Sequence, residues 1–366
     1  MLLTPGPTAV PEFVRTAMSE ETLHHRTPEF ENIFKETREL LLELFDMPEA
    51  VMLACSGTGA MEACITNLTH KKALTVNSGK FGERFGKICE AHNIPNTEIK
   101  HEWNTAVSID EIVETIKNDS DIDAVFIQVC ESAGGLRHPV EDIAKAVKEI
   151  NKDISIIADG ITAVGVEKID TTNIDALITG SQKALMLPPG LAMIGFSNDA
   201  VSKINKKSAG YYLNLASEIK KQKTNTTAYT AATTLIIGLG AILKRLKEIG
   251  FENLYLDTEK RAEASREAFE AIGLGVYPIT PANAMTTIYT EQSNAIRKIL
   301  KEKYDLNIAG GQDHLKGKIF RVNHMGLVTP YEASWAVNAV EMALDELGIR
   351  TFDGTANRVF MEKSFK

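Results

Sequence analysis

The stretch ISIIADGITAVGVEKIDTTNIDALITGSQKALMLPPGLAMIGF (154–196) decides the fold class. It holds three apolar runs, ISIIAD (154–159), ALITG (176–180) and AMIGF (192–196). Runs that are apolar throughout belong to strands buried on both faces. Upstream the pattern repeats in VMLAC (51–55), ALTV (73–76) and AVFIQV (124–129). Segments of helical period lie between, at 81–94, 108–118 and 139–150, the last opened by Pro139 where a helix tolerates proline. This alternation predicts an α/β domain with a mostly parallel sheet flanked by helices on each side. The last two runs have no clear helix between them, which leaves room for one antiparallel strand.

Ahead of this core, Phe30, Ile33, Phe34, Thr37, Leu41 and Leu44 recur at helical spacing and predict a helix packed on the sheet. Beyond residue 250 the grammar changes. A long helix (254–272) precedes strand 284–290, helix 294–305, strand 318–324 and helix 330–348, the pattern of a smaller α+β domain. Residues 200–232, rich in Lys, Asn and Thr, read as an excursion between the two. The division is 1–20, an N-terminal segment; 21–250, a large domain; and 251–366, a small C-terminal domain.

The 366 residues are 44% hydrophobic and 24% charged, an ordinary globular mixture. Lys and Arg number 40 against 49 Asp and Glu, for a net charge of −9. An acidic chain without a dense basic run argues against nucleic acid or an anionic membrane as partner. The start MLLTPGPT lacks the basic and apolar regions of a signal peptide, and no apolar run is long enough to span a bilayer. Cys55, Cys64, Cys89 and Cys130 lack C-x-x-C spacing and read as buried free thiols. No His/Cys/carboxylate cluster suggests a metal. The expected location is cytoplasmic.

Ligands of open α/β sheets sit beyond the carboxyl ends of the strands. After VMLAC comes Ser56-Gly57-Thr58-Gly59-Ala60, running into helical MEACITNL. Such a turn offers free N–H groups and the positive end of a helix dipole to a phosphate, though a plain strand–helix turn has the same letters. After ISIIA comes Asp159, a carboxylate costly to bury without a cation or proton donor, or simply a turn residue. After ALITG comes Lys183, held among apolar residues and Pro188-Pro189-Gly190. A desolvated lysine is a nucleophilic amine; a surface lysine with its stem laid flat is the commoner case. Together the three suit pyridoxal 5'-phosphate: a nest for the phosphate, a carboxylate for the ring nitrogen and a lysine for the Schiff base.

TGSQKALMLPPG (179–190), with ADGITAVG (158–165) upstream, closely resembles the class V aminotransferases of fold type I. The nearest branch is that of alanine–glyoxylate, serine–pyruvate and 2-aminoethylphosphonate–pyruvate aminotransferases. TPGPT (4–8), HRTPEF (25–30), SGTGAMEA (56–63), NSGKFGER (77–84) and GKIFR (317–321) appear in the family's order. The resemblance implies Lys183 as Schiff-base lysine and proton shuttle, and Asp159 as partner of the pyridine nitrogen. It implies Ser56, Gly57, Thr58 and Gln182 around the phosphate, Phe81 as the ring stacked on the cofactor, and Ser132 near its phenolic oxygen. Arg321 is similar to the arginine that clamps the substrate carboxylate, and Gly6 to the glycine at the mouth of the site, which ties residues 1–20 to the active site and small domain. Thr227 or Tyr229, in NTTAYT (225–230), corresponds to a loop reaching the neighbouring subunit's cofactor phosphate, so a homodimer with shared sites is implied.

The implied activity is ping-pong transamination from a small amino acid (alanine or serine) to a small 2-oxo acid (pyruvate or glyoxylate). A 2-aminoethylphosphonate–pyruvate transaminase needs a further cation, for which Arg26, Arg84 and Arg137 are sources. A β-lyase or desulfurase needs a mobile cysteine, which Cys55 and Cys130 match poorly. A non-catalytic phosphate-binding subunit has no use for Asp159, Lys183 and Arg321 together.

Overall fold

The computed structural model describes residues 1–365. The chain opens with α1 (Glu12–Met18), α2 (Pro28–Phe45), β1 (Glu49–Leu53), α3 (Gly57–Leu68), β2 (Lys72–Asn77), α4 (Lys80–Ala91) and β3 (Asn96–Lys100). It continues with α5 (Ile109–Asn118), β4 (Ile122–Gln128), a short ribbon of β5 (Cys130–Glu131) and β6 (Leu136–Arg137), α6 (Val140–Ile150) and β7 (Ser155–Asp159). Then come β8 (Ala176–Gly180), β9 (Ala192–Phe196), α7 (Asn198–Lys206), α8 (Leu215–Gln222) and α9 (Thr233–Ile249).

Seven strands form one sheet in the order β1-β9-β8-β7-β4-β2-β3. The pairs β8–β7, β7–β4, β4–β2 and β2–β3 are parallel, while β9 runs antiparallel to both β8 and β1. The missing helix between the last two apolar runs was the sign of that reversal, since only an antiparallel neighbour can be reached by a short connection. Every residue of β1, β7, β8 and β9 is buried. One face packs against α2, α5, α6 and α9 through Phe34, Ile112, Val147 and Leu243; the other packs against α3, α4 and α7 through Met61, Phe85 and Ile204. The apolar stripe expected on residues 30–44 is the inner face of α2, capped by Thr27, with Ile33 at its half-buried edge.

The smaller unit comprises α10 (Phe251–Ala271), β10 (Gly275–Val276), β11 (Met285–Tyr289), α11 (Ser293–Tyr304), β12 (Ala309–Gly310), β13 (Ile319–Asn323), α12 (Pro330–Glu346) and α13 (Thr355–Ser364). Its four strands, ordered β10-β11-β13-β12, are antiparallel throughout. Its core is separate and contains Phe269, Ile288, Leu300, Phe320, Val337 and Phe360. Leu3 joins this core; its N–H donates to the Asn307 carbonyl (2.8 Å) and its carbonyl accepts from the Asn323 N–H (2.9 Å). The N-terminal strap is thus stitched to β13, the strand that carries Arg321.

The segment 200–232 is not a bare excursion. It contains the end of α7 and all of α8, whose Leu215 and Ile219 complete the second face of the large core. Among the described residues no helix is long and apolar enough to cross a membrane.

Candidate active site

The site lies where β4, β7 and β8 end and the small unit begins. Asp159, the last residue of β7, is buried; one carboxylate oxygen accepts the Ile161 N–H at 3.0 Å, and the other has no hydrogen-bond partner. Burial pushes its carboxyl up to about 6, with the charges of Arg84 and Lys183 pulling the other way. A carboxylate with one arm fixed and the other unpartnered among the described residues is open to a further donor.

Lys183 follows β8 in a turn that the sequence holds rigidly. The Ser181 hydroxyl donates to the Pro188 carbonyl (2.7 Å) and accepts from the Leu191 N–H (3.3 Å), closing the loop across the two prolines. Inside it Met186 takes a left-handed φ of 49°, unusual for a large side chain. Thr8 ties the strap to the same turn, its hydroxyl donating to the Lys183 carbonyl (2.7 Å) and its N–H to the Gln182 carbonyl (3.1 Å). The Lys183 amine is buried and donates to the Pro5 carbonyl at 2.6 Å. Burial, reinforced by the Arg321 charge, brings its pKa down to about 8. Gly6 sits directly over it with φ 107°, and a Cβ there would come 2.4 Å from Nζ. Only glycine meets both the backbone and the space requirement.

Ser56 caps α3 with its backbone alone; its side chain makes no capping bond and is exposed. The N–H groups of Gly57 and Thr58, in the first helical turn, have no intrahelical acceptor. Gly57 is needed for close approach, because a Cβ would fall 2.4 Å from Ile161 Cδ1, just past Asp159. Arg84 of α4 donates to the Thr58 hydroxyl (2.9 Å) and stacks its guanidinium 4.8 Å from the centre of the Phe81 ring. The ring, the turn and a cation therefore share one wall. Gln182 is half-buried, and its amide oxygen is inaccessible yet unpartnered.

Arg321, the middle residue of β13, is buried and makes no ion pair with a carboxylate among the described residues. Its Nη2 and Nε donate to the Gly310 carbonyl (2.6 and 3.2 Å), and its Nη1 to the Ser132 carbonyl (2.6 Å). Burial lowers its pKa to about 10, so it stays charged at neutral pH. Ser132 is therefore placed beside Arg321 through its backbone.

The structure gathers Gly6, Ser56, Gly57, Thr58, Phe81, Ser132, Asp159, Gln182, Lys183 and Arg321 around these strand ends. It does not bring Thr227 and Tyr229 there. The Thr227 hydroxyl donates to the Tyr229 carbonyl, the Tyr229 hydroxyl donates to the Tyr211 carbonyl (2.7 Å), and the two residues border a small pocket with Met52, Leu191 and Ile236. Neither hydrogen-bonds to Lys183 or Asp159. Glu131 escaped the sequence reading although it carries the same sign as Asp159, a lone carboxylate after an apolar run. It is fully buried, and its oxygens accept the N–H groups of Phe81, Gly82 and Ala133.

The pattern fits pyridoxal phosphate. Asp159 keeps one carboxylate oxygen unpaired among the described residues, Gly57 and Thr58 present first-turn N–H groups, Arg84 sits on the Thr58 hydroxyl, and Lys183 has a depressed amine. The sequence matches the family described as aminotransferase class-V over residues 2–322. The chain belongs to the class-V aminotransferases. This aminotransferase is 47% identical over 366 residues to an uncharacterized aminotransferase of Helicobacter pylori, covering 100% of this chain and 99% of that one. It is 30% identical to a serine–glyoxylate aminotransferase of Hyphomicrobium methylovorum, covering 95% of this chain and 90% of the relative. Among solved structures, an aspartate aminotransferase of subgroup IV from Thermus thermophilus superposes with a TM-score of 0.88 at 29% identity, covering 94% of this chain and 99% of that one.

Proposed function

We propose that this aminotransferase moves an amino group from a small neutral amino acid, alanine or serine, to a small 2-oxo acid, pyruvate or glyoxylate. The observation that carries the reading is the buried guanidinium of Arg321, which meets only backbone carbonyls, in a site whose other cations are the reacting amine of Lys183 and Arg84, the latter held on the Thr58 hydroxyl and the Phe81 ring. One clamp suits one carboxylate.

Pyridoxal phosphate, when bound, supplies an electron sink and a carrier for the amino group between the two half-reactions. Its phosphate is assigned to the Ser56-Gly57-Thr58 turn with Gln182, its ring to the face of Phe81 and its phenolic oxygen to Ser132. Asp159 holds a proton against the ring nitrogen. Arg321 takes the substrate carboxylate bidentately and so fixes which Cα bond faces Lys183. Lys183, neutral through a large part of its population near pH 8, takes the proton from Cα as a general base. The strap over Nζ, through Gly6 and Pro5, keeps water from that amine. Thr227 and Tyr229 are assigned to the partner subunit's site within a homodimer. The three-part division at residues 20 and 250 goes with this reading, the large part holding the cofactor and the small part the arginine.

The phosphonate alternative loses ground at Arg137, whose Nε meets Glu167 at 3.0 Å and Nη2 meets Glu141 at 2.7 Å. That cation is already matched twice. Desulfurase chemistry needs a thiolate, and burial drives Cys55 up to about 11 and Cys130 up to about 12.

The test is a half-reaction screen. The yellow enzyme is mixed separately with alanine, serine, aspartate, glutamate and 2-aminoethylphosphonate, and conversion to the pyridoxamine form is followed by absorbance. Alanine or serine should convert it fastest; a faster response to 2-aminoethylphosphonate or to a dicarboxylic acid overturns the assignment. Lys183→Ala should abolish covalent cofactor attachment and lower turnover by at least about a thousandfold; a variant as fast as the parent removes Lys183 from the mechanism.

A further inference from the structure

The carboxylate of Glu131 lies beside Phe81 and Ser132 and belongs to none of the roles above. It sits at the N-terminus of α4, where the helix dipole favours an anion. One of its oxygens, Oε2, accepts the Phe81 N–H at 3.0 Å and the Gly82 N–H at 2.8 Å; the other, Oε1, accepts the Ala133 N–H at 2.9 Å. It therefore binds two elements at once, the first turn of α4 and the turn that leaves β5. The first carries the Phe81 ring. The second carries the Ser132 carbonyl, which receives Arg321 Nη1 at 2.6 Å.

The space around this carboxylate is fitted closely. A Cβ on Gly79 would come 2.3 Å from Glu131 Cδ, so the chain entering α4 can pass only as glycine. The Glu131 carbonyl accepts the Gly135 N–H (2.9 Å), which folds the 131–135 turn back on the same residue. Its charge is also felt by Arg321, which pairs with no carboxylate among the described residues.

We infer that Glu131 is a positioning residue for substrate binding: by holding α4 and the 131–133 turn in one hydrogen-bonded unit, it fixes the distance between the ring at Phe81 and the guanidinium at Arg321. The inference rests on the proposed transamination, because Arg321 matters only if a substrate carboxylate comes to it. A substrate held by Arg321 and reacting below Phe81 must span these two groups. A shift of either one would loosen binding of the amino acid before it impaired proton transfer at Lys183, which stands on a different turn with its own anchors.

Two substitutions separate holding from charge. Glu131→Gln keeps the shape but turns one acceptor into an NH2 that faces an N–H donor. Glu131→Asp keeps the charge but is one methylene too short to reach α4 and the turn together. In the full-length holoenzyme, assayed with L-alanine or L-serine, both should raise the donor KM by about tenfold or more while kcat stays within about threefold. In the cofactor-free chain, amide exchange at Phe81, Gly82 and Ala133 should accelerate together by about tenfold or more, with the amides of β7 unchanged. An Asp variant with the parental KM, or accelerated exchange confined to Ala133, overturns the inference. If Glu131→Gln does not fold, the Asp variant alone decides by the same two readouts. The parent enzyme is the control for the underlying reading: if it converts no amino acid at all, transamination fails, whereas normal conversion with unaltered variants defeats only the role of Glu131.

Discussion

At the residue scale the most informative group is the Lys183 amine. Its pKa of about 8, against 10.5 for an exposed lysine, means that burial penalises the ammonium form. The folded chain therefore gives up a proton that the unfolded chain keeps between those two values. Stability of the cofactor-free protein should accordingly gain from this group as pH rises from about 8 to about 10.5, because the unfolded state binds more protons there. The same titration governs reactivity. Only the neutral amine attacks a carbonyl, so the rate at which cofactor-free protein captures pyridoxal phosphate covalently should climb with pH and level off above about 8. Borohydride trapping followed by mass spectrometry across that range measures it; a rate still climbing steeply near 10.5 would mean an ordinary, solvated lysine. Lys183 and Asp159 were legible in the sequence because each is the first charged group at the end of an apolar run. Glu131 has the same signature, but its partners on α4 lie 50 residues back in the chain, and no spacing rule connects them. Arg84 was legible only as a spare cation, because its contact with Thr58 crosses two helices.

At the scale of elements, the central strands were read nearly to the residue, since burial on both faces leaves no choice of composition. Several of the elements missed are those whose burial is partial or supplied from afar. β3, NTEIK, buries only Ile99 because it is the sheet's outer strand, and its polar letters look like loop. α13 covers α10 with little more than Ala356 and Phe360. α8 is short, yet it solves a problem at the opposite edge of the sheet. An edge strand exposes unpaired N–H and C=O groups that invite foreign pairing. On β1, the Gln222 side chain accepts the Met52 N–H (2.8 Å) and donates to the Met52 carbonyl (2.8 Å), closing the edge as another strand would. Gln222→Ala should leave both Met52 backbone groups without a partner, remove one of the two donors to Glu218, and cost about 2–3 kcal/mol. A urea titration should show a lower midpoint at unchanged slope. An unshifted midpoint would mean that water already serves that edge.

At the scale of the whole molecule, the net charge of −9 and the anionic ligands demand local solutions, a helix terminus and one guanidinium, rather than a general field. The same scale accounts for the loop that the active site does not reclaim. Tyr211 is 83% exposed and Tyr212 48% exposed, and both ring faces meet Tyr229, at 5.5 and 5.2 Å between centroids. Two exposed aromatic rings packed on the half-buried Tyr229 beside Thr227 suit burial against a second copy of the chain. If that copy's cofactor phosphate is what the loop reaches, each active site needs Lys183 from one subunit and Thr227 or Tyr229 from the other. Two defective chains should then complement each other. Lys183→Ala retains an intact loop, and a Thr227→Ala, Tyr229→Phe double variant retains an intact lysine; each alone should be nearly inactive. Refolded together in equal amounts, half of the dimers are mixed and each mixed dimer regains one complete site of two, so activity should return to about a quarter of the parent's. Each self-contained site would instead leave the mixture at the mean of its two components. Sedimentation of the parent at the mass of one 40.1 kDa chain would rule out the shared site altogether.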